Sequence, residues 1–159
     1  MDAFTPVRFE VGRPMLLAGL RRRHGFAAAE AGITAQWREF LSGGEVPGRT
    51  GAELYGVMCG GDSTGLEYMC GVEVGSFAGL PAETGRMRVP AQSYAVFVHD
   101  RQEASLRSTW EGILEWLASG PYDSAHTPDF ELYAPGSDPL ADPGEIEIWV
   151  GVVPRGGTE

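Results

Sequence analysis

The sequence predicts an α+β fold, a duplicated βαββ unit whose two halves, about 1–75 and 85–153, pack around a pseudo-two-fold axis as a single domain spanning 1–159. Three observations carry this expectation. The same order of extended and helical stretches occurs twice. Trp37 and Trp110 take equivalent places on the two helical stretches, 73 residues apart. The closing extended stretches, "EYMCGV" at 67–72 and "EIWVGV" at 147–152, share the pattern Glu-x-x-x-Gly-Val, 80 residues apart. Half-units of this size rarely bury a sufficient core alone, so two must pack together, and a cleft between them is a preferred place for a small-molecule site.

In chain order, "PVRFEV" (6–11) and "MLLAGLRRRH" (15–24) read as extended, separated by Gly12-Arg13-Pro14. Over 26–41, "FAAAEAGITAQWREFL" sets Ile33, Trp37, Phe40 and Leu41 at helical spacing, and Gly43 and Gly44 stop the helix. "AELYGVMC" (52–59) and "LEYMCGVEV" (66–74) flank the turn "GGDSTG" as a hairpin. Simple pairing through that turn sets Cys70 near Tyr55 and Cys59 near Leu66. After a Gly/Pro-rich link at 75–85 come two more extended stretches, "RMRVP" (86–90) and "QSYAVFVHD" (92–100). A helix over 103–119 presents Leu106, Trp110, Ile113, Leu114 and Leu117 on one face and ends at Gly120-Pro121. "DFELYAP" (129–135) and "EIEIWVGVV" (145–153) complete the second set, with a Pro-, Gly- and Asp-rich loop between them.

Composition narrows the function classes. The chain carries a net charge of −10, and all 12 basic residues are arginine. Such a surface repels phosphate backbones, and Arg21-Arg22-Arg23 reads as a solvated strand end, so direct nucleic-acid binding is not expected. No apolar run approaches the roughly 20 residues of a membrane helix, and no signal peptide is visible, so the expected location is cytoplasmic. Cys59 and Cys70 are too few for a disulfide framework and lack metal-ligand spacing. His24, His99 and His126 read as isolated residues in exposed loops or at strand ends, and no metal site is expected from them. The serines lack a nucleophile elbow, and the glycines fit neither a P-loop nor a dinucleotide-binding turn, so no cofactor is expected.

Aromatic residues and carboxylates remain. Tyr55, Tyr68, Tyr94, Trp110, Tyr133 and Trp149 all fall in predicted core elements near the seam between halves. They serve either as core filler or as the walls of a cavity where flat or cationic ligands stack. Glu67, Glu131 and Glu147 each sit mid-strand between apolar neighbours. For Glu67 and Glu147 an exposed sheet face explains the pattern at least as well as function does. Glu131 in "PDFELY" is the best candidate for a buried carboxylate, because it shares a strand face with Tyr133 while Phe130 and Leu132 occupy the other. A buried carboxylate without a partner costs several kcal/mol or takes up a proton. That cost suits a site where a ligand cation supplies the missing charge, or where a general acid or base is needed.

The sequence resembles the GyrI-like family, the effector-binding domain also found behind DNA-binding modules in AraC-type and MerR-type regulators. The resemblance rests on "LYGV" (54–57), "LEYMCGVEV" (66–74), "VPAQSYAVFVH" (89–99), "STWEGILEWLASGPY" (108–122), "PDFELY" (128–133) and "EIEIWVGV" (145–152), which occur in family order over most of the chain. It implies a curved antiparallel sheet with two helices on one face and a ligand cleft between halves. It also implies an aromatic pocket with an acidic residue that receives hydrophobic, often cationic, compounds, and it places the family's pocket glutamate on Glu131. Some free-standing members are similar to hydrolases of strained cyclopropane-bearing toxins that use a glutamate and a tyrosine, and others bind drugs or inhibit gyrase. The chain departs from the regulators in showing no helix-turn-helix, so a regulatory role would need a separate partner that reads DNA.

The leading reading is therefore a sensor or sequestering domain of multidrug type, monomeric or homodimeric, binding a small molecule through Glu131, Tyr55, Tyr68, Tyr94, Trp110, Trp149 and Glu147. The alternative enzyme would use Glu131 and Tyr133 as its catalytic pair. A third reading is a gyrase-type protein inhibitor acting on a separate target through the acidic surface. Binder and enzyme share every residue named, so the sequence leaves both open.

Overall fold

Among the described residues, apolar and branched residues in short stretches build strands, and two longer stretches of 3.6-residue period build helices. The computed structural model describes residues 4–100, 106–140 and 145–156, with backbone alone at 106 and 107. The elements are β1 (Arg8–Gly12), β2 (Met15–Gly25), α1 (Ala29–Leu41), β3 (Leu54–Asp62), β4 (Gly65–Val74), β5 (Gly85–Val89), β6 (Gln92–Asp100), α2 (Leu106–Ser119), β7 (Tyr122–Ser124), β8 (Asp129–Tyr133) and β9 (Glu145–Pro154). A turn of 3₁₀ helix, Phe26–Ala28, occupies the predicted start of the first helix. The predicted start of the second helix at 103 and the place of the Leu106 side chain lie outside the described residues.

Every strand pair is antiparallel, in the order β1-β6-β9-β8-β3-β4-β2-β5, with β7 pairing β9 off the main path. The order is symmetric about the β8–β3 seam when β1, β2, β3 and β4 are matched with β5, β6, β8 and β9. The leading strands are exchanged: β1 pairs β6, and β5 pairs β2. The short β7 corresponds to a single bridge in the first half, Arg49 to Val74, and "YDS" carries too weak a strand signal to anticipate it.

Both helices cover the same face. Ile146 and Ile148 point the same way by strand alternation. Ile146 packs with Trp37 of α1 and with Tyr68, Cys70 and Tyr133. Ile148 packs with Ile113 of α2 and with Ala95, Phe97 and Val150. The opposite face has its own core of Met15, Leu17, Tyr55, Val57, Met69, Val89, Tyr94, Val96 and Phe130, with no helical residue in it. Strands from the two ends of the sheet meet there, so the sheet curls into a half-barrel that shelters its inner face. No described helix is long and apolar enough to cross a membrane.

Several local expectations are corrected. Pairing in the β3–β4 hairpin is one residue off before the bulge, where Tyr55 faces Gly71 and Gly56 faces Cys70, and two off after it, where Leu66 faces Gly61. A bulge between Met58 and Gly60 absorbs Cys59, and Gly60 takes the positive φ of 127° beside it. On α1 the buried partner of Trp37 is Gln36, while Leu41 is 41% exposed at the end of the stripe. On α2 Leu114 is exposed and Trp116 joins the packed face instead. His99 is no surface residue. It is buried, with its Nδ1 2.7 Å from Thr109 Oγ1 of α2.

Candidate functional site

The seam between β3 and β8 sets Gly56 opposite Glu131. By alternation Glu131 and Tyr133 project from β8 toward the helices, and Tyr68 projects from β4 to the same side. Glu131 is 1% exposed. Its Oε1 accepts hydrogen bonds from the Tyr68 hydroxyl at 2.7 Å and from the Tyr133 hydroxyl at 3.1 Å. The Tyr68 hydroxyl in turn accepts the indole N–H of Trp37 at 3.0 Å. A chain of donors, Trp37 to Tyr68 to Glu131, therefore ends on the carboxylate, with Tyr133 joining from the side. Burial and the neighbouring carboxylate push the Tyr68 phenol well above its ordinary range, so it remains a donor.

Gly56 makes this arrangement fit. A Cβ there would come within 2.6 Å of Glu131 Oε1 and closer still to the Tyr68 hydroxyl. The backbone beneath the site is fixed from α1, where the Gln36 amide donates to the Leu20 and Tyr68 carbonyls at 2.7 and 2.9 Å. His24 Nε2 holds the same amide through Gln36 Oε1 at 2.6 Å. Around the carboxylate the rings meet edge to face, with Trp37 5.2 Å from Tyr133 and 6.5 Å from Tyr68. The box is closed: Trp37, Tyr68 and Tyr133 are each almost fully buried.

The sequence-predicted residues divide between the two faces. Glu131, Tyr133 and Tyr68 come together beneath α1. Trp110 lies on the helix side as well, packed against the α2 cluster of Ile113 and Ile148. Tyr55, Tyr94 and Trp149 lie on the inner face of the half-barrel, around Phe130, with ring centroids 5.3–5.6 Å apart. Glu147 sits at the rim of that face. Arg8 binds it through both terminal guanidinium nitrogens at 2.9 and 3.0 Å, and the Trp149 indole donates to it at 3.0 Å. These bonds hold the Glu147 carboxyl below its usual range. Glu67 is likewise taken, by Arg21 at 2.6 Å.

Sequence reasoning assigns Trp37 to packing alone and passes over Gln36 and Gly56. The recurrence of tryptophan at equivalent helix positions is the available signal for Trp37. Nothing in the pattern marks a glycine that is needed for what its absent side chain leaves room for.

A family model described as integron-associated effector binding protein, Cass2, matches residues 13–152. The chain belongs to that family. Its fold is GyrI-like, in agreement with the sequence resemblance. No curated protein matches the chain in sequence. Among solved structures it is similar to SAV2435 bound to tetraphenylphosphonium, with a TM-score of 0.73 and 18% identity over 92% of this chain and 93% of that one. It is also similar to an integron cassette protein from the mobile metagenome of Vibrio cholerae, at TM-score 0.68 and 21% identity over 95% and 98% of the two chains. The C-terminal domain of EcmrR superposes at TM-score 0.65 and 15% identity over 92% and 96%. Effector binding is thus the described character of the family, and the same fold occurs within EcmrR, solved in complex with DNA.

Proposed function

We propose that this effector-binding domain takes hydrophobic cations beneath α1, with Glu131 as the counter-charge and Trp37, Tyr68 and Tyr133 as aromatic walls. The observation that carries the reading is a fully buried carboxylate that accepts the hydroxyls of two tyrosines inside a closed aromatic box. The hydroxyls of Tyr68 and Tyr133 fix the position of Glu131 Oε1. An entering cation gains from a negative charge in a water-poor site, framed by the negative faces of aromatic rings. The similarity to a protein solved with tetraphenylphosphonium supports the same ligand class. Opening the closed box costs free energy, which lowers the apparent affinity and favours ligands with enough aromatic surface to replace the displaced ring contacts. In this reading the domain, with its halves 1–75 and 85–153, acts in the cytoplasm as a sensor or sequestering domain of multidrug type.

Titration calorimetry with tetraphenylphosphonium and with neutral triphenylphosphine oxide tests it. Glu131→Gln keeps the shape and removes the charge. The variant should lose about tenfold or more in affinity for the cation, about 1.4 kcal/mol, and much less for the neutral compound. Equal losses, or none, would remove Glu131 from the ligand site. The hydrolase reading draws on the 3.1 Å contact between Tyr133 and Glu131. It requires turnover of a strained electrophile that disappears in the same variant.

A further inference from the structure

Among the described residues the main path of the sheet ends in two edge strands, β1 and β5. β5 is guarded. Arg86 donates to the carbonyls of Thr84 at 3.1 Å and Leu80 at 3.4 Å, tying it to the preceding loop, and Arg88 lies 5.1 Å over the Phe77 ring. Charged side chains and covering loops are common means of preventing strand edges from associating. β1 and the residue before it instead carry an apolar row, Val7, Phe9 and Val11, exposed by 58%, 50% and 85%. With Phe4 they make four of the nine large apolar side chains exposed among the described residues.

The segment Val7-Arg8-Phe9-Glu10-Val11 is a chemical palindrome centred on Phe9. Laid antiparallel against a second copy with Phe9 facing Phe9, it sets each Val7 against a Val11 and each Arg8 against a Glu10. Arg8 and Glu10 share the opposite face of β1, where Arg8 Nε already donates to its own Glu10 at 2.5 Å and the guanidinium also binds Glu147. Pairing with a second copy would extend this into a charge ladder running Glu147, Arg8, Glu10 and back again. Opposite charges and apolar side chains facing one another are the favourable cross-strand pairs, whereas a parallel or shifted register loses them.

We propose that β1 is a self-complementary edge through which two copies of this chain join antiparallel over residues 7–11, continuing one sheet into the other. The ligand box beneath α1 has no part in this contact, so the dimer stands independently of the ligand reading. Sedimentation equilibrium on the full chain should show a monomer–dimer equilibrium, and the amides of 7–11 should gain hydrogen-exchange protection as concentration rises. Val11→Lys alters a side chain in water, so circular dichroism melting should stay unchanged while dimerisation weakens about tenfold or more. The double variant Val7→Glu/Val11→Lys sets glutamate against lysine twice in this register and should regain most of the lost association. A chain that stays monomeric at all concentrations overturns the proposal and leaves the edge to a foreign strand. So does a dimer indifferent to Val11→Lys, or a double variant no better than the single one.

Discussion

Glu131 and Glu147 stand on neighbouring strands, with Glu147 directly opposite Leu132, the residue after Glu131. Both look alike in sequence, a glutamate between apolar neighbours. One residue of alternation sends them to opposite faces, and everything else about them follows. Glu131 enters a closed aromatic box and accepts the hydroxyls of Tyr68 and Tyr133. Glu147 comes out at the rim, a third exposed, and is matched by a guanidinium. The first is fixed by phenol hydroxyls beneath a helix, the second by a guanidinium that ties β1 to β9.

The most damaging way to break this contrast is to fill the space the first carboxylate occupies. Gly56→Ala should cost about 2–3 kcal/mol in urea unfolding, because its methyl group overlaps the positions of Glu131 Oε1 and the Tyr68 hydroxyl. An alanine tolerated at no cost would mean the box rearranges easily. A smaller effect comes from Asp129, two residues before Glu131 on the same strand face. Burial raises its carboxyl to about 6, although it accepts the Gly151 amide at 2.9 Å. The folded protein therefore binds that proton more tightly than the unfolded chain does, and stability is lost as pH rises through about 6. Asp129→Asn should be more stable than the parent by about 1–2 kcal/mol near pH 8, with the advantage fading below about pH 4. Thermal melts across that range check it, and a difference independent of pH would exclude the titration as its source.

The smallest change belongs to the rim. Arg8 and Glu147 are both partly exposed, so Glu147→Gln should cost less than about 1 kcal/mol and leave cation affinity within about twofold of the parent. Because the Glu147 carboxyl is held low, that contribution is present at neutral pH and is lost as pH falls through the carboxyl range. A loss of cation affinity as large as that of Glu131→Gln would join the two faces into one site and sink the distinction.

Much of the fold was legible because local rules sufficed. Periodicity located both helices, and the repeated Glu-x-x-x-Gly-Val pattern showed the duplication. The buried carboxylate was legible too, since "FELY" leaves little room for a solvent-facing side. The grouping of the site was harder. Tyr55 and Tyr94 share a face with Phe130, and Tyr68 does not. Deciding this needs the register of four strands, and an error of one residue in any of them moves a tyrosine through the sheet. The bulge at Cys59 introduces such a shift inside the hairpin. His99 and Gln36 were misjudged or missed because their partners, Thr109 and the Leu20 and Tyr68 carbonyls, lie on elements brought near only by tertiary packing.

The exchange of leading strands also governs the order in which the chain can assemble. Arg8 pairs with Val96, and the partners of β1 lie in the second half of the chain. The β3–β4 hairpin and α1 can form from local contacts, whereas β1 must wait until most of the chain has been synthesised and β6 has found β9. Closing so long a loop is slow relative to hairpin formation. β1 is therefore expected to seat late, after the folding barrier has been crossed. Substitutions within it should speed unfolding more than they slow refolding, a division that stopped-flow folding and unfolding traces can read.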